Sequence, residues 1–381
     1  MPQIVVGADV VPVNRTLDAF MRGDAQAIFG DLLPLLQSAN FSIVNLECPL
    51  IVEPSPAPKS GPTLGAPVAS IRGIRNAGIH ALGLANNHIL DHGPQGLRST
   101  LDACREVGFD TVGAGENLEA AGRLLIREVG GVRVAVLAIA EHECSIAGRD
   151  SPGANPIDPV TFMRTVRRHK GLYDFLLVLF HGGSEHHPYP SPRVMDMCRL
   201  LVEEGAGAVL VQHTHCPGCW ERYEGAYIVY GQGNLVFDKP GISLPLWHEG
   251  FLVVLDVASP SDVSMTVVPY TQGRDRPGAR RLRDTEESDF LDALRARSKL
   301  LADREAIERK WQEYCATMEG GYLNILHGHG WLLRKLNNRL HWLSRLYTPA
   351  KRRVIQNCIR CESIREVLET ILGEETPCGR G

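Results

Sequence analysis

The sequence has none of the features that mark membrane-spanning, secreted or nucleic-acid-binding proteins. No run of roughly eighteen apolar residues occurs in the 381-residue chain, so no transmembrane helix is expected. The apolar run 4–6 lies almost at the N-terminus, without the charged and apolar regions of a signal peptide. A net charge of -4 provides no basic surface that would drive nucleic-acid binding. These absences predict a cytoplasmic protein.

A disulfide framework is also not expected, although the chain contains ten cysteines. They are scattered over a long chain, whereas disulfide frameworks belong to small secreted domains, so most are expected to be buried thiols. Cys216 and Cys219 have CxxC spacing, and Cys358 and Cys361 repeat it far away. A redox motif needs a thioredoxin-like helix start, and a zinc ribbon needs a second pair nearby. A zinc or redox module is therefore kept only as a third hypothesis.

The chain is longer than a usual single domain, so a core domain with an appendage is expected. The composition divides it into a core domain at 1–272, a basic linker at 273–283 and a helical appendage at 284–381. The appendage is expected to cover the core or to form a dimer, and its interleaved apolar and basic residues leave peripheral membrane contact as an alternative. Its helices are predicted near 286–301, 303–317, 330–346 and 361–373.

The core domain alternates apolar runs with helical patterns, which predicts an α/β fold. A helix is expected at 24–39, and the Pro-, Ser- and Gly-rich stretch 51–66 is expected to be a surface loop or lid. The sequence 129–132 predicts a hairpin turn before a buried strand. Polar residues that follow the strands of such a fold meet at the carboxyl edge of the sheet, where ligands bind.

The stretch 209–238 carries the strongest chemical signal. The apolar run 209–211 ends in His213-Thr214-His215, and in an extended backbone residues two apart point to the same side. Both imidazoles could then reach one metal ion. His327 and His329 repeat this spacing, but no strand precedes them, so a loop role is expected.

Other predicted strands also end in residues that bind metals. A short strand is expected to run into a loop that carries Asp9, and a second strand ends at Asn45 and Glu47. The remaining candidates are Asn87, His88 and His181, each placed just after or at the end of an apolar run. Oxygen and imidazole ligands without thiolates favour Mn, Fe or Zn over a structural zinc site of the cysteine type. The set is large enough for two divalent ions, which together activate a water for hydrolysis.

The motifs that carry these residues resemble those of the capsule-synthesis CapA proteins, also called the poly-gamma-glutamate synthesis family. That family resembles the calcineurin-like metallophosphoesterases. The similarity extends over roughly residues 3–270 and leaves the C-terminal helices outside it. The matching segments are NLECPL at 45–50, GLANNHILDHGPQGL at 83–97, LVLFHGGSE at 177–185 and the whole stretch 209–238.

This resemblance implies a calcineurin-like four-layer α/β/β/α sandwich and a set of site residues. It implies that His88 is a general acid for the leaving group and that Asp91 orients it. Asn86, Glu185 and Asn234 correspond to positions that line the pocket. The implied metal ligands are Asp9, Glu47, Asn87, His181, His213 and His215.

The sequence departs from the family pattern at the first strand. Ala8 separates Gly7 from Asp9, where the family usually has a Gly-Asp pair. Val11 stands where the related phosphoesterases have a histidine after Asp9, so one metal site has a ligand fewer.

Two hypotheses from different classes follow from the resemblance. The first is a metal-dependent hydrolase of a phosphoester or gamma-glutamyl amide, linked to capsule or polyanionic polymer metabolism. The second is a non-catalytic, metal-binding accessory subunit of a polymer-synthesis complex. The expected partners are accordingly a polyanionic polymer or small phosphoester and, for the second hypothesis, polymer-synthesis proteins.

Overall fold

The computed structural model describes two compact units, Met1–Trp311 and Gln312–Gly381. The described residues are 1–59, 61–244, 246–326, 331–340 and 346–360.

The strands of the first unit are β1 (Gln3–Val11), β2 (Phe41–Leu46), β3 (Leu50–Ile51), β4 (Ala66–Pro67), β5 (Ala81–Gly83), β6 (Asp110–Val112), β7 (Ala114–Gly115), β8 (Leu125–Val129), β9 (Val132–Ala140), β10 (Gly153–Ala154), β11 (Phe175–His181), β12 (Ala208–Gln212), β13 (Trp220–Tyr223), β14 (Ala226–Val229), β15 (Asn234–Phe237), β16 (Glu249–Ser259), β17 (Asp262–Gln272) and β18 (Ala279–Arg281). The α-helices of the described residues are α1 (Leu17–Arg22), α2 (Ala25–Phe29), α3 (Leu33–Ser38), α4 (Ile71–Asn76), α5 (Gly93–Glu106), α6 (Leu118–Ala121), α7 (Pro159–Arg168), α8 (Pro192–Glu203), α9 (Asp284–Lys299), α10 (Arg304–Leu326), α11 (Trp331–Leu340) and α12 (Pro349–Arg360).

The larger sheet is organised around β1. Its strand order is β18-β17-β16-β1-β2-β5-β6, and β15 also pairs with β1. Strand β16 runs antiparallel to the first half of β1, whereas β15 runs parallel to its second half. Strands β1, β2, β5 and β6 are parallel to one another, so their carboxyl ends share one edge of the sheet.

The smaller sheet has the strand order β13-β14-β12-β11-β9-β8, and β9, β11, β12 and β14 are parallel. Its β8–β9 hairpin turns at Gly130 and Gly131, which both have positive φ (59° and 86°), as a tight hairpin turn requires. This confirms the predicted turn. Side chains of β9 alternate between two cores: Val134, Val136 and Ala138 belong to one, and Ala135, Leu137 and Ile139 to the other.

The two sheets pack face to face. A Cβ atom placed on Gly83 of β5 would lie 3.4 Å from a Cδ of Leu179 on β11, so the sheets are in direct contact there. Ile74 of α4 packs in the hydrophobic cluster that contains the larger sheet, while Phe162 of α7 and Leu201 of α8 pack on the far side of the smaller sheet. Because the parallel strands are covered on both faces, their sequences read as continuous apolar runs. This arrangement confirms the predicted four-layer α/β/β/α sandwich.

The segment predicted to be helical at 24–39 is helical, but it is not one continuous α-helix. The structure has α2 and α3, separated by a 3-10 turn at Gly30–Leu32. Gly30 has a φ of 52°, and a Cβ at this position would collide with the backbone carbonyl of Ala279. The close approach of β18 therefore breaks the helix, and a local helical pattern does not contain that information.

The segment 273–283, predicted as a linker, contains β18, which pairs with β17 through Tyr270 to Gln272. Helix α9 follows directly, and its Phe290 and Leu294 are buried in the hydrophobic cluster that contains the larger sheet. The first compact unit continues to Trp311. Part of the predicted helical appendage thus packs as an integral part of the sandwich.

Helix α11 covers the first part of the helix predicted at 330–346. The helix predicted at 361–373, the loop histidines His327 and His329, and Cys361 lie outside the described residues. Across the part of the chain that the structure describes, every helix is too short or too polar to cross a bilayer.

Candidate metal centre

The carboxyl ends of strands from both sheets bring the predicted ligands together. Asp9 lies on β1, Glu47 follows β2, and His181 is the last residue of β11. His181 Nε2 lies 3.3 Å from Glu47 Oε1, and His215 Nδ1 lies 3.7 Å from Asp9 Oδ2. All four side chains are buried, so groups that are far apart in sequence form one polar cluster inside the protein.

Glu47 is at the centre of this cluster. His213 Nδ1 and His215 Nε2 each lie 3.9 Å from Glu47 Oε1, at distances too long for hydrogen bonds. Among the described residues, neither carboxylate oxygen of Glu47 has a hydrogen-bond partner, and His213 Nδ1 has none either. Buried polar atoms are almost always satisfied, so these unpaired ligand atoms fit a cation that would bind between them.

The ligand atoms form three sets that could each surround one cation. In every set the atoms lie within 4.8 Å of one another. The sets are Asp9, Glu47 and His215; Glu47, His181 and His213; and Glu185, His213 and His215. Glu47, His213 and His215 each belong to two of the sets, and Glu47 is the carboxylate among them, so it is the ligand that two cations would share.

The backbone at the histidine pair is not extended, contrary to the sequence interpretation. Strand β12 ends at Gln212, and His213 and His215 have positive φ values of 88° and 52°. Such conformations are strained for residues with a Cβ and are concentrated at functional sites. The two rings still lie close together, with centroids 5.7 Å apart. The positive φ values of His213 and His215, and not the alternation of an extended strand, bring them to the same side.

Asp9 lies inside a strand and not in the predicted loop. The pairing of β1 with β2 shifts register between Val6 and Asp9, and the pairing with β15 continues to Val11. The irregularity lies next to the carboxylate and distorts the ladder there, as bulges near active sites commonly do.

Burial and the mutual charges of the cluster shift the pKa values of its members. Burial raises the pKa of Asp9 well above its ordinary value, and the charge of Glu47 adds to this shift. Burial also acts to raise the pKa of Glu47, but the close histidines His215 and His181 outweigh it and hold that pKa well below its ordinary value. Burial lowers the pKa of His181 to about 4. Burial would likewise lower the pKa of His213, but Glu47 raises it to about 9. Protons therefore occupy places that a divalent cation could take, with their release.

Three amides support the cluster. Asn87 Oδ1 lies 3.0 Å from His181 Nε2, which places this predicted ligand at the second set. Asn45 donates to Asp9 Oδ1 at 2.7 Å. Asn234 Oδ1 accepts from His215 Nδ1 at 2.8 Å, which leaves the lone pair of His215 at Nε2, the nitrogen that faces Glu47. Such partners fix the tautomer and orientation of a metal-binding imidazole.

His88 and Asp91 form a buried pair beside the cluster. His88 Nδ1 donates to Asp91 Oδ2 at 2.6 Å, and the Asp91 carboxylate is fully buried. Burial acts to raise the pKa of Asp91, but hydrogen bonds from His88, the backbone of Leu64 and Lys59 keep this pKa below its ordinary value. Asp91 is therefore an ionised acceptor that fixes the orientation of the His88 ring.

The remaining predicted pocket residues occupy different places. Asn86 is fully buried, donates to the Leu46 carbonyl at 2.9 Å and accepts from the His88 amide at 3.1 Å. It thus joins the end of β2 to the turn that carries His88. Glu185 is exposed, and it lies within reach of His213 and His215.

Three residues near the centre were not among the predicted site residues. Asn45 was noted as a strand-end amide beside Glu47, and that spacing was the only local signal for it. Lys59 reaches Asp91 from the loop predicted as a lid, at 2.5 Å. Trp247 packs on His215 with ring centroids 5.1 Å apart. The sequence near Lys59 and Trp247 contains no strand-end pattern that would have identified them.

The cysteine pair does not resemble a reactive or metal-binding motif. Cys216 and Cys219 are buried free thiols, and burial raises the pKa of Cys216 to about 12 and that of Cys219 further. Among the described residues, no set of metal-ligating side chains includes a cysteine. A buried thiol of raised pKa is inert, so these cysteines pack as small apolar side chains.

Comparison with known proteins finds relatives that are named for capsule biosynthesis or polyglutamine synthesis. The chain is 30% identical over 240 residues to the capsule biosynthesis protein CapA of Bacillus anthracis, which covers 61% of this chain and 58% of that protein. It is 32% identical over 230 residues to a probable polyglutamine synthesis accessory protein of Mycobacterium tuberculosis, covering 54% of this chain and 59% of that protein. The chain thus spans less than two thirds of the length of these relatives.

Solved structures share low identity with the chain. A 5'-nucleotidase precursor from Thermus thermophilus superposes with a TM-score of 0.42 and 16% identity, over 83% of this chain and 59% of that one. A family model described as bacterial capsule synthesis protein PGA_cap matches residues 3–239. This match covers well over half of the sequence and includes the strands that carry the candidate metal centre, and the chain therefore belongs to the bacterial capsule synthesis PGA_cap family.

Proposed function

We propose that this chain is a metal-dependent hydrolase that holds two divalent cations at the Glu47 cluster. Asp9, Glu47 and His215 would hold one cation, and Glu47, Asn87, His181 and His213 the other. The observation that carries this proposal is Glu47 itself, a buried carboxylate with both oxygens lacking hydrogen bonds, surrounded by three imidazoles.

The donor set favours Mn, Fe or Zn, because carboxylate, amide and imidazole groups suit these ions and no thiolate takes part. When bound, two such cations would polarise the scissile bond and lower the pKa of an attacking water. The first cation would have one protein ligand fewer than the second. Val11, an apolar residue, stands on β1 where a further histidine ligand is implied by the resemblance to metallophosphoesterases.

The protein's own groups complete the chemistry. His88 would donate a proton to the leaving group, because its Nδ1 is held by Asp91 and its Nε2 is the nitrogen left to exchange a proton. Glu185, exposed and within reach of His213 and His215, would line the entrance to the centre. Asn234 and Asn86 would keep His215 and His88 in place through their hydrogen bonds.

The substrate is proposed to be a phosphoester or gamma-glutamyl amide of a polyanionic polymer. This assignment is supported by the names of the relatives, which describe capsule biosynthesis and polyglutamine synthesis. Both bonds present an oxygen that a cation can polarise and a leaving group that a general acid can protonate.

Elemental analysis and a substrate panel test the proposal directly. We expect the purified chain to contain up to two divalent cations of Mn, Fe or Zn and to hydrolyse a phosphoester or a gamma-glutamyl peptide. A chelator should abolish turnover, and adding the same metal back should restore it. A protein that binds no divalent cation, or turnover that a chelator leaves unchanged, would contradict the proposal.

A non-catalytic accessory role is the second candidate. It is favoured by the name of the Mycobacterium tuberculosis relative, a probable polyglutamine synthesis accessory protein. In this case the cations would serve structure or ligand binding, and the partners would be polymer-synthesis proteins. A chain that binds metal and supports polymer assembly, but hydrolyses nothing on the panel, would favour this candidate.

We also propose that the C-terminal helices contact an anionic membrane surface. Between Glu319 and Glu362 the sequence has no acidic residue and carries Arg334, Lys335, Arg339, Arg345, Lys351, Arg352, Arg353 and Arg360. Leu332, Leu336 and Leu340 follow a helical spacing on α11 and are 70%, 49% and 55% exposed. An amphipathic helix with basic residues beside an exposed apolar stripe is typical of surface-bound membrane helices.

Vesicle sedimentation tests this surface. The full chain should sediment with vesicles that contain phosphatidylglycerol, much less with pure phosphatidylcholine, and less as salt rises. Leu336→Glu should reduce this binding by about tenfold or more, because it places a charge in the apolar stripe. The matched control is Leu172→Glu, at an exposed leucine near the end of α7. Equal binding to both vesicle types, or binding to soluble polyglutamate instead of lipid, would contradict the proposal.

A further inference from the structure

The loop between β3 and β4 is hydrogen-bonded to the turn that carries His88. Its prolines Pro54, Pro56 and Pro58 alternate with Ser55 and Ala57, and the prolines are exposed while the intervening residues are partly covered. Alternating prolines favour an extended, semi-rigid chain. The loop therefore loses little conformational entropy when it binds to the turn.

Backbone donors of this loop bind the turn at two neighbouring points. The Ser55 amide donates to His92 Nδ1 at 2.8 Å, and the Ala57 amide donates to the Asp91 carbonyl at 2.8 Å. Beyond them, the Leu64 amide donates to Asp91 Oδ2 at 2.6 Å. These bonds fix the position of the loop along residues 91–92. They bring the next inward-facing side chain, that of Lys59, to Asp91.

Lys59 is buried at this contact. Its side chain is 7% exposed, and its Nζ lies 2.5 Å from Asp91 Oδ1, on the oxygen that His88 does not use. The same Nζ lies 3.3 Å from the Asn87 carbonyl and 3.5 Å from His88 Nδ1. The ammonium thus touches each part of the turn that joins the proposed ligand Asn87 to the proposed proton donor His88.

The geometry points to Lys59 as a positioning residue that holds Asp91, and through it the His88 ring, in the orientation needed to protonate the leaving group. Asp91 divides its two oxygens between the partners: Oδ1 accepts from Lys59, and Oδ2 accepts from His88 and the Leu64 amide. Without the ammonium, the carboxylate could rotate, and the ring it orients would follow. The inference rests on the proposed function, because it assumes that His88 donates a proton.

A positioning role differs measurably from a merely stabilising one. A proton donor is needed most when the leaving group is a poor one, such as an alkoxide, and least when it is nitrophenolate. Loss of Lys59 should therefore harm the reactions of poor leaving groups selectively. A stabilising ion pair alone would change the amount of folded protein and affect both substrates equally.

The test compares Lys59→Met with the parent chain on a nitrophenyl and an alkyl ester of the hydrolysed class, at matched metal content. We expect kcat for the alkyl ester to fall by about 10- to 100-fold, in the range that slight misplacement of a catalytic group causes. The nitrophenyl ester should lose less than about threefold, because nitrophenolate leaves with little help from an acid. Lys59→Arg should restore part of the alkyl rate, and Lys170→Met, at an exposed lysine, is the matched control.

A second measurement does not depend on turnover. In nitrogen-15 histidine spectra, the His88 Nδ1–H signal, identified by its loss in His88→Ala, should exchange with solvent about tenfold faster in Lys59→Met than in the parent. Lys59→Gln, which keeps a neutral donor, serves for both measurements if the methionine variant does not fold. Equal losses on both esters, or unchanged exchange of the His88 proton, would overturn the positioning role. A parent chain that hydrolyses neither ester and no gamma-glutamyl peptide would instead refute the proposed function, while the exchange measurement still tests Lys59.

Discussion

Replacing Glu47 by Gln is expected to abolish tight metal binding while the sandwich stays folded. The substitution keeps the size of a fully buried side chain but removes the charge that two ligand sets share. It also places an amide that can only donate from its nitrogen where a ligand oxygen is needed. Loss of a supporting partner alone costs about 10- to 100-fold in metal affinity, so loss of the shared carboxylate should cost at least about 100-fold.

Metal content and thermal unfolding report this loss together. A cation present at about 100 times its Kd adds about 2.7 kcal/mol to the free energy of unfolding of the parent chain. The variant should show no such gain and should contain no stoichiometric metal after purification. Glu128→Gln on β8, an exposed glutamate, is the matched control and should behave as the parent. A Glu47→Gln protein that still bound two cations would refute the shared-ligand role of Glu47.

Much of the sandwich could be predicted because its central strands are buried on both faces. Strands such as β11 and β12 read as uninterrupted apolar runs, and they end where the runs end. The break at Gly30 and the strand β18 were missed for a common reason. The carbonyl of Ala279 on β18 occupies the space beside Gly30, so the helix break and the strand depend on each other. The sequence around either position does not contain this contact.

The candidate centre was predictable in composition but not in geometry. Parallel strands of one sheet place their carboxyl ends at one edge, and that rule predicts that Asp9 and Glu47 lie close together. It does not predict that β11 of the second sheet brings His181 to the same place. The rule does not contain the register shift at Asp9 or the positive φ of His213 and His215. Those distortions come from long-range pairing and from the convergence of the ligands, which a linear pattern cannot describe.

Lys59 shows what a sequence pattern leaves out. The loop composition predicts an excursion or lid, because alternating prolines cannot join a central strand or a helix. Which side chain of such a loop enters the site depends on hydrogen bonds to residues about thirty positions away, such as that from Ala57 to Asp91. No local periodicity encodes that contact, so only the folded structure identifies it.

Replacing His88 by Ala is expected to reduce turnover by about two to four powers of ten without loss of metal. This range is typical when a general acid or base is removed. The substitution should leave the fold intact, because Asp91 keeps its bonds to Lys59 and the Leu64 amide and is not left as an unpaired buried charge. The ligand sets around Glu47 do not include His88, so metal content should stay at the parent value.

Kinetics and elemental analysis of the same preparations separate the possible roles of His88. His169→Ala, at a half-buried histidine directly after α7, is the matched control and should retain both metal and turnover. If His88→Ala lost metal together with turnover, His88 would be a ligand or a structural support and not the proton donor. If it kept full turnover, the leaving group would need no acid from this position. Only loss of turnover at constant metal content fits a His88 ring that Asp91 holds in place for proton transfer.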